Sequence, residues 1–335
     1  MTKNNYVVHY RNLRFYVEQG LIVNKIHRVL AFDQSMWLAP YINFNTIMRS
    51  KSTSDFEKDF FKLMVNAAFG KTQENLRNRV NVEVVMDRFR ALKIVSKPLY
   101  KRSVEVREDM SLMQSTMTNI CLNKPIYIGF CVLDLSKLHM FRFHYENMRH
   151  RYNNINLCFT DTDSLLYEVE TKDVFSDMLN DAENYDFSDY LPSHRCFANM
   201  MEEEVKRFQE QNKKALGKFK DEMKGLTLKE IIGLRPKCYS LLYLLANLTE
   251  EEKQTAKGVK KAVKKAFLRH VMYKETLDNL SSFVVTQNVI KSKAHTIGTY
   301  HQNKTALTAF DTKRWICDNG VETRAFGHDN NNVNK

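Results

Sequence analysis

The stretch Cys158-Phe159-Thr160-Asp161-Thr162-Asp163-Ser164-Leu165 sets two carboxylates at i and i+2 between apolar, strand-like flanks. Carried on the tip of a hairpin, Asp161 and Asp163 project to the same side. Held about 4 Å apart, two such charges repel by several kcal/mol at an effective dielectric of about 20. A fold tolerates that if one group protonates or a divalent cation sits between them. Oxygen-only ligands suit Mg2+, which phosphoryl transfer uses to neutralise charge on attacking and leaving oxygens. Asp and Ser are also ordinary turn residues, so a solvated turn remains the competing reading of these residues taken alone.

A second constellation precedes it. In Lys62-Leu63-Met64-Val65-Asn66-Ala67-Ala68-Phe69-Gly70-Lys71, helical spacing brings Lys62, Asn66, Phe69 and Gly70 to one face, with Phe60, Met64 and Ala67 opposite and available to a core. An ammonium, an amide, a flat ring and a glycine on one face suit a nucleotide. An amphipathic helix with a solvated Lys fits the same pattern.

Further on, Lys237 and Tyr239 at i and i+2 of a strand would share a face and could touch a duplex backbone. Beyond them no acid occurs between Glu252 and Glu275, where Lys260, Lys261, Lys264 and Lys265 form a basic stripe beside Val259, Val263, Ala266 and Phe267. Such a helix can grip phosphates without sequence preference, or simply be solvated.

These groups need elements to hold them. The spacing predicts a helix over Tyr6–Gln19 stopped by Gly20, a strand over Ile22–Phe32, and a long helix over Ser54–Arg79 capped by Ser54. Asn81–Met86 and Tyr100–Arg107 alternate like a hairpin. Ile126–Arg149 reads as a second long helix, and Ile155–Val169 as two short strands around the acidic turn. Lys213–Tyr243 suggests three strands broken at Gly217, Gly225 and Gly233, and Lys253–Tyr273 a basic helix.

At 335 residues and 43% hydrophobic, the chain can bury a real core, and the mixture of patterns predicts an α+β architecture. A balance of 51 basic against 39 acidic residues favours an acidic partner such as nucleic acid. The six cysteines show no C-x-x-C pair, which argues against zinc and for buried, reduced thiols in an intracellular protein. The most apolar run, Ile126–Leu135, is too short to span a bilayer, so no membrane association is expected.

Apolar strand, D-T-D-S, apolar strand resembles motif C of family B DNA polymerases, with Phe159 in place of the usual Tyr. The row from Lys62 to Gly70 resembles motif B, K-x-x-x-N-S-x-Y-G, with Ala67 for Ser and Phe69 for Tyr. Lys237-Cys238-Tyr239 resembles the K-x-Y motif, and Leu216-Gly217-Lys218 a family-typical L-G-K stretch before it. The opening stretches Tyr10–Tyr16 and Lys25–Val29, with Phe56–Lys62, look like protein-primed polymerases of Polinton/Maverick transposons and related viruses.

The resemblance implies roles residue by residue. Asp163 bridges two Mg2+ ions and Asp161 supports them. Lys62, Asn66 and Phe69 receive a deoxynucleoside triphosphate, with Arg49 or Lys51 on its phosphates. Lys237 and Tyr239 hold the primer, while Lys218, Lys260 and Lys264 contact primer–template DNA. A terminal priming protein is an implied partner. The implied architecture is a partial right hand: fingers over 1–78, an insertion over 79–115, palm over 116–245, thumb over 246–326 and a disordered tail over 327–335. Motif A, D-x-x-S-L-Y-P, has no counterpart; Asp33–Pro40 has the wrong spacing and no Tyr after Leu38. The chain is therefore expected to begin inside or just before the fingers and to have little polymerase activity alone. A non-catalytic nucleic-acid-binding remnant stays open. So does a Mg2+-dependent nuclease, although Asp181, Glu183, Asp186 and Asp189 read as a solvated loop rather than extra ligands.

Overall fold

Helix signals in the first half are answered one by one in the computed structural model, which describes residues 3–213, 215–245, 247–293, 296–310, 314–317 and 323–325. The expected tail over 327–335 lies outside the described residues. The chain divides into two compact units, Met1–Lys172 and Asp173–Lys335. Both mix helices with small sheets, so the fold class is α+β.

In the first unit, α1 spans Tyr10–Glu18, and Gly20 ends it at φ 93°, a backbone region open to glycine. The expected strand over Ile22–Phe32 does not form: residues 21–36 carry neither helix nor strand. Alternation specifies a strand only where a neighbouring strand pairs with it, and here none does among the described residues. Two helices follow, α2 (Ala39–Lys51) and α3 (Asp55–Thr72). Ser54 caps α3 by accepting the Glu57 N–H at 3.2 Å, and Asp55 and Glu57 sit in the positive first turn. The helix ends at Thr72, short of Arg79, and a 3-10 turn covers Leu76–Asn78.

The expected hairpin over 81–107 is a three-stranded sheet instead. Strands β1 (Val80–Val85) and β2 (Tyr100–Arg107) do not pair with each other; both flank β3 (Met110–Thr116), and α4 (Arg88–Val95) intervenes in sequence. Val85, Ile94 and Met113 make a small core of their own between helix and sheet. Next comes α5 (Ile126–Arg142), running without interruption through a π-turn over Phe143–Met148 into a last short turn, α6 (Arg149–Arg151). Gly129 lets α5 meet the end of α3 closely, since an added Cβ would lie 2.3 Å from Gln73 Cγ and 2.5 Å from Thr72 Oγ1. Helix α1 docks on α5 through polar contacts as well as Phe15. Asn12 donates to the Asp134 carbonyl at 2.8 Å, and the His9 N–H to the Asp134 carboxylate at 2.8 Å. Strands β4 (Ile155–Asp161) and β5 (Ser164–Val169) close the unit as an antiparallel pair.

The second unit opens with α7 (Val174–Asn180), β6 (Tyr185–Asp186), α8 (Glu202–Asn212) and β7 (Phe219–Lys220), the two short strands pairing parallel. Phe175, Phe187, Tyr190, Phe197 and Phe208 pack edge to face there. The Tyr190 hydroxyl donates to Asp221 at 2.8 Å, and burial holds its pKa well above the usual phenol value. The loop expected to be solvated is so only in part: Glu183 and Asp189 are exposed, Asp189 pairing with Lys220 at 2.9 Å, but Asp181 and Asp186 are buried.

A meander follows, β8 (Thr227–Arg235), β9 (Cys238–Leu244) and β10 (Glu250–Ala256). Gly233 lies inside β8 rather than breaking it. The single basic helix expected over Lys253–Tyr273 is resolved into three parts. Lys253–Ala256 belongs to β10, α9 spans Lys261–Phe267, and α10 spans His270–Asp278. The break between the helices drives Leu268, fully buried, into the core with Ile232, Cys238, Tyr273, Val285 and Leu307. Burying such a side chain is worth about 1.5–3 kcal/mol, more than the turn of helix given up. Two long strands, β11 (Ser282–Lys293) and β12 (Thr296–Thr308), form a ribbon, and β13 (Arg314–Ile316) pairs with β14 (Thr323–Ala325). All six cysteines are free; Cys238 is buried, but Cys121 and Cys158 are exposed, against the expectation of buried thiols. Among the described residues, no helix is long and apolar enough to cross a membrane.

Candidate functional site

The acidic turn sits where two strands meet. Asp161 and Ser164 are the last paired positions of β4 and β5, leaving Thr162 and Asp163 as a two-residue tip. The Asp163 N–H donates to the Asp161 carbonyl at 2.7 Å, and Thr162 takes φ 60°. A turn closed over three residues with positive φ is a strained γ-turn, and a β-branched residue there is an outlier. Asp161 is half-buried at the strand end, while Asp163 is exposed at the tip. Thr162 Oγ1 donates to Asp161 Oδ1 at 3.3 Å, and Ser164 Oγ to the Asp161 carbonyl at 3.2 Å. A bulge at Cys158 shifts the register, so Leu157 faces Tyr167 but Phe159 faces Leu166. The simple alternation expected for the strand pair therefore fails in its middle.

What holds this hairpin is a pair the sequence did not single out. His144, in the π-turn after α5, stacks on Tyr167 of β5 at 5.7 Å and 6°, with Nδ1 3.0 Å from the Tyr167 hydroxyl. Burial, then the nearby Arg149 charge, lowers the His144 pKa, and burial pushes the Tyr167 hydroxyl up to about 12. A neutral imidazole and an intact phenol follow, and the bond runs from the Tyr167 hydroxyl to Nδ1 or from Nδ1–H to the phenol oxygen according to the imidazole tautomer. A π-turn adds a residue to the helical path and re-aims side chains, which is how His144 reaches β5. The one available clue was a His and Tyr within reach of a helix end, too common to signal a contact.

On α3, Lys62, Asn66 and Gly70 are exposed and Phe69 is half-buried, so the expected face is open. The opposite stripe is corrected. Met64 is half-buried as expected, but Phe60 and Ala67 are exposed, and the half-buried line runs through Phe61, Val65, Ala68 and Thr72, toward α2 and α5. Helix α2 is tied to α3 by the Tyr41 hydroxyl, which donates to the Met64 carbonyl at 3.2 Å. Arg49 is half-buried near the end of α2. Exposed Lys51 borders a cavity of about 260 Å³ with Met48, Phe56, Glu57, Phe60 and Phe61. Helix α5 and the π-turn that continues it thus carry both parts: α3 meets α5 at Gly129, and the acidic hairpin meets the π-turn at His144, about 20 Å further along.

The second-unit residues are placed differently from expectation. Lys237 is not on a strand; with Pro236 it makes the β8–β9 turn, at φ 61°, its carbonyl accepting the Lys257 N–H at 3.0 Å. Tyr239 lies on β9, opposite Gly233 and Thr255, so the i, i+2 strand face does not exist as such. The Lys218 ammonium is engaged within the unit, on the Ala182 carbonyl at 2.8 Å and on Asn212 Oδ1. Lys260 is the exposed N-cap of α9, and Lys264 lies half-buried in its last turn.

Chemically, the hairpin tip offers two carboxylates of the right kind for magnesium. Among the described residues no group of three metal-ligating side chains occurs, so the donor set is short in number. Comparison with known protein families, characterised proteins and solved structures gives no match.

Proposed function

We propose that this chain is the C-terminal part of a template-directed DNA polymerase of family B, protein-primed type, comprising fingers, part of the palm and thumb. The observation that carries the reading is the D-T-D-S tip: two carboxylates on a strained two-residue turn between paired strands, Asp163 exposed. The open Lys62, Asn66 and Gly70 face of α3 in the same unit supports it. Magnesium, when bound, supplies charge neutralisation for attack of a primer 3′-hydroxyl on the α-phosphate of a dNTP. Asp163 and Asp161 hold it in part. Lys62 meets phosphates as a point charge, Asn66 and Phe69 border the sugar and base, and Arg49 or Lys51 lies on the triphosphate. Primer–template DNA meets Tyr239, Lys237, Lys260 and Lys264. Lys218 leaves this list of contacts, because its donors already serve Ala182 and Asn212. The priming partner is a terminal protein.

With two acidic ligands present, the chain alone extends primers poorly or not at all. The remnant reading, DNA binding without catalysis, draws on the same shortage of ligands. Photo-crosslinking of an azido-dATP in the presence of Mg2+ separates the two. The polymerase reading expects labelling of α3 that falls about tenfold or more in Lys62→Ala. Labelling that ignores Lys62 and Mg2+ contradicts it. Degradation of DNA without added nucleotide, lost in Asp163→Ala, would instead make the chain a nuclease.

A further inference from the structure

The β11–β12 ribbon has two unlike faces. One continues the core of the second unit: Val285 and Gln287 are buried, Val289, Tyr300, Gln302 and Lys304 half-buried. Gln287 locks it there, its Oε1 accepting the Lys260 N–H at 3.1 Å and its amide donating to the Gly258 carbonyl at 3.3 Å. The other face is open along the described ribbon. Val284, Thr286, Asn288 and Ile290 on β11, and Ile297, Thr299, His301, Asn303 and Thr305 on β12, are all exposed. Ile290 and Ile297 stand 77% and 76% exposed on neighbouring rungs toward the tip.

Three observations say what fits this face. First, no acid occurs between Asp278 and Asp311, while Lys291 and Lys304 lie on the ribbon's other face, so the strand pair as a whole is basic and its charge complement is a polyanion. Second, the open face carries hydroxyls, amides and methyls without formal charge, apart from His301 when protonated; these types read base edges and thymine methyls rather than phosphates. Thr286 Oγ1 donates to Asn303 Oδ1 across the strands at 2.8 Å, which fixes both side chains in place. Third, the ribbon is two strands wide and its pairing spans about 40 Å. The major groove of B-DNA, about 12 Å wide, admits such a ribbon, and the length exceeds one helical turn.

We infer that the open face of the β11–β12 ribbon lies in the major groove of duplex DNA and gives this chain a base-reading contact. Thr286, Asn288, Thr299, His301 and Asn303 meet base edges, and Ile290 and Ile297 cover thymine methyls. This goes beyond nucleotide transfer and does not depend on it; a chain with no metal site could bind in the same way.

The test uses the full chain and a labelled duplex of about three helical turns, followed by fluorescence anisotropy. Thr299→Glu and Asn303→Glu, both on exposed positions, are expected to weaken binding about tenfold or more. Gln211→Glu, the same charge change on exposed α8, is expected to stay within about twofold. Melting curves check that the variants fold. A second arm needs no variant: methyl green, a major-groove ligand, is expected to displace the protein and netropsin, a minor-groove ligand, is not. Displacement by netropsin alone, wild-type affinity in both ribbon variants, or no duplex binding at all would overturn the inference. None of these outcomes touches the Lys62-dependent nucleotide labelling, so the two proposals fail separately.

Discussion

Replacing Tyr167 with Phe deletes one hydroxyl and leaves the ring stacked on His144, so it isolates the bond that ties the acidic hairpin to the long helix. A net hydrogen bond is worth about 1 kcal/mol, and leaving half-buried His144 Nδ1 without its partner adds a further part of the desolvation cost. Together these give about 1.5 kcal/mol, or a melting temperature lower by about 3–6 °C for a unit of this size. The pH dependence makes the test specific. Burial, with Arg149, lowers the folded pKa of His144 below its ordinary value of 6.5. The unfolded chain therefore binds that proton more readily, so His144 costs the folded state nothing above about pH 6.5 and destabilises it in both proteins as pH falls through the lowered folded value. Tyr167, its pKa pushed up to about 12, keeps its hydroxyl proton and its oxygen lone pairs throughout. Thermal melts of wild type and Tyr167→Phe from about pH 8 to about pH 5 are the assay. The gap between them should persist or widen toward acid, because a protonated Nδ1 donates to the phenol oxygen in the wild type and has no such acceptor in the variant. A gap that closes toward acid would refute the reasoning.

Other expectations follow from close contacts and strain. Gly129→Val places a branched side chain where a Cβ already meets Gln73 and Thr72, and should destabilise by about 2 kcal/mol or more in urea titrations. Thr162→Gly relieves a β-branched residue at φ 60°; after the unfolded-state entropy of glycine is subtracted, a gain of about 0.5–1 kcal/mol should appear in the same titrations. Thr162→Ala should gain less.

Legibility in the sequence followed the range of the interactions. Ser54 and Gly20 act on their own neighbours, and both helix ends sit where their side chain or backbone places them. The acidic hairpin was legible because its two strands are adjacent and its turn is polar. Strand β3 was missed because Ser111, Gln114 and Ser115 give it little β character; it exists because β1 and β2 pair on either side. The end of β10 from Lys253 onward looked helical until its register with β9 decided otherwise. The helix break at Leu268 is set by a core assembled from distant strands, which no local period announces. Lys237 was expected on a strand, yet the Lys257 N–H pins its carbonyl in a turn. In the candidate site the chemical groups could be read from spacing. Their support, His144 on Tyr167, depends on a π-turn that leaves no pattern in the residues.

Paramagnetic Mn2+ standing in for Mg2+ reports the site most directly. Two carboxylates bind such an ion weakly, and the phosphates of an added dNTP supply further oxygen ligands. In an isotope-labelled sample, backbone resonances from Thr160 to Ser164 should broaden first as Mn2+ is titrated. Adding a dNTP should sharpen the affinity, and Asp161→Asn with Asp163→Asn should abolish the effect. Broadening that persists in the double variant, or that centres elsewhere on the chain, would mean the hairpin tip does not gather the ion.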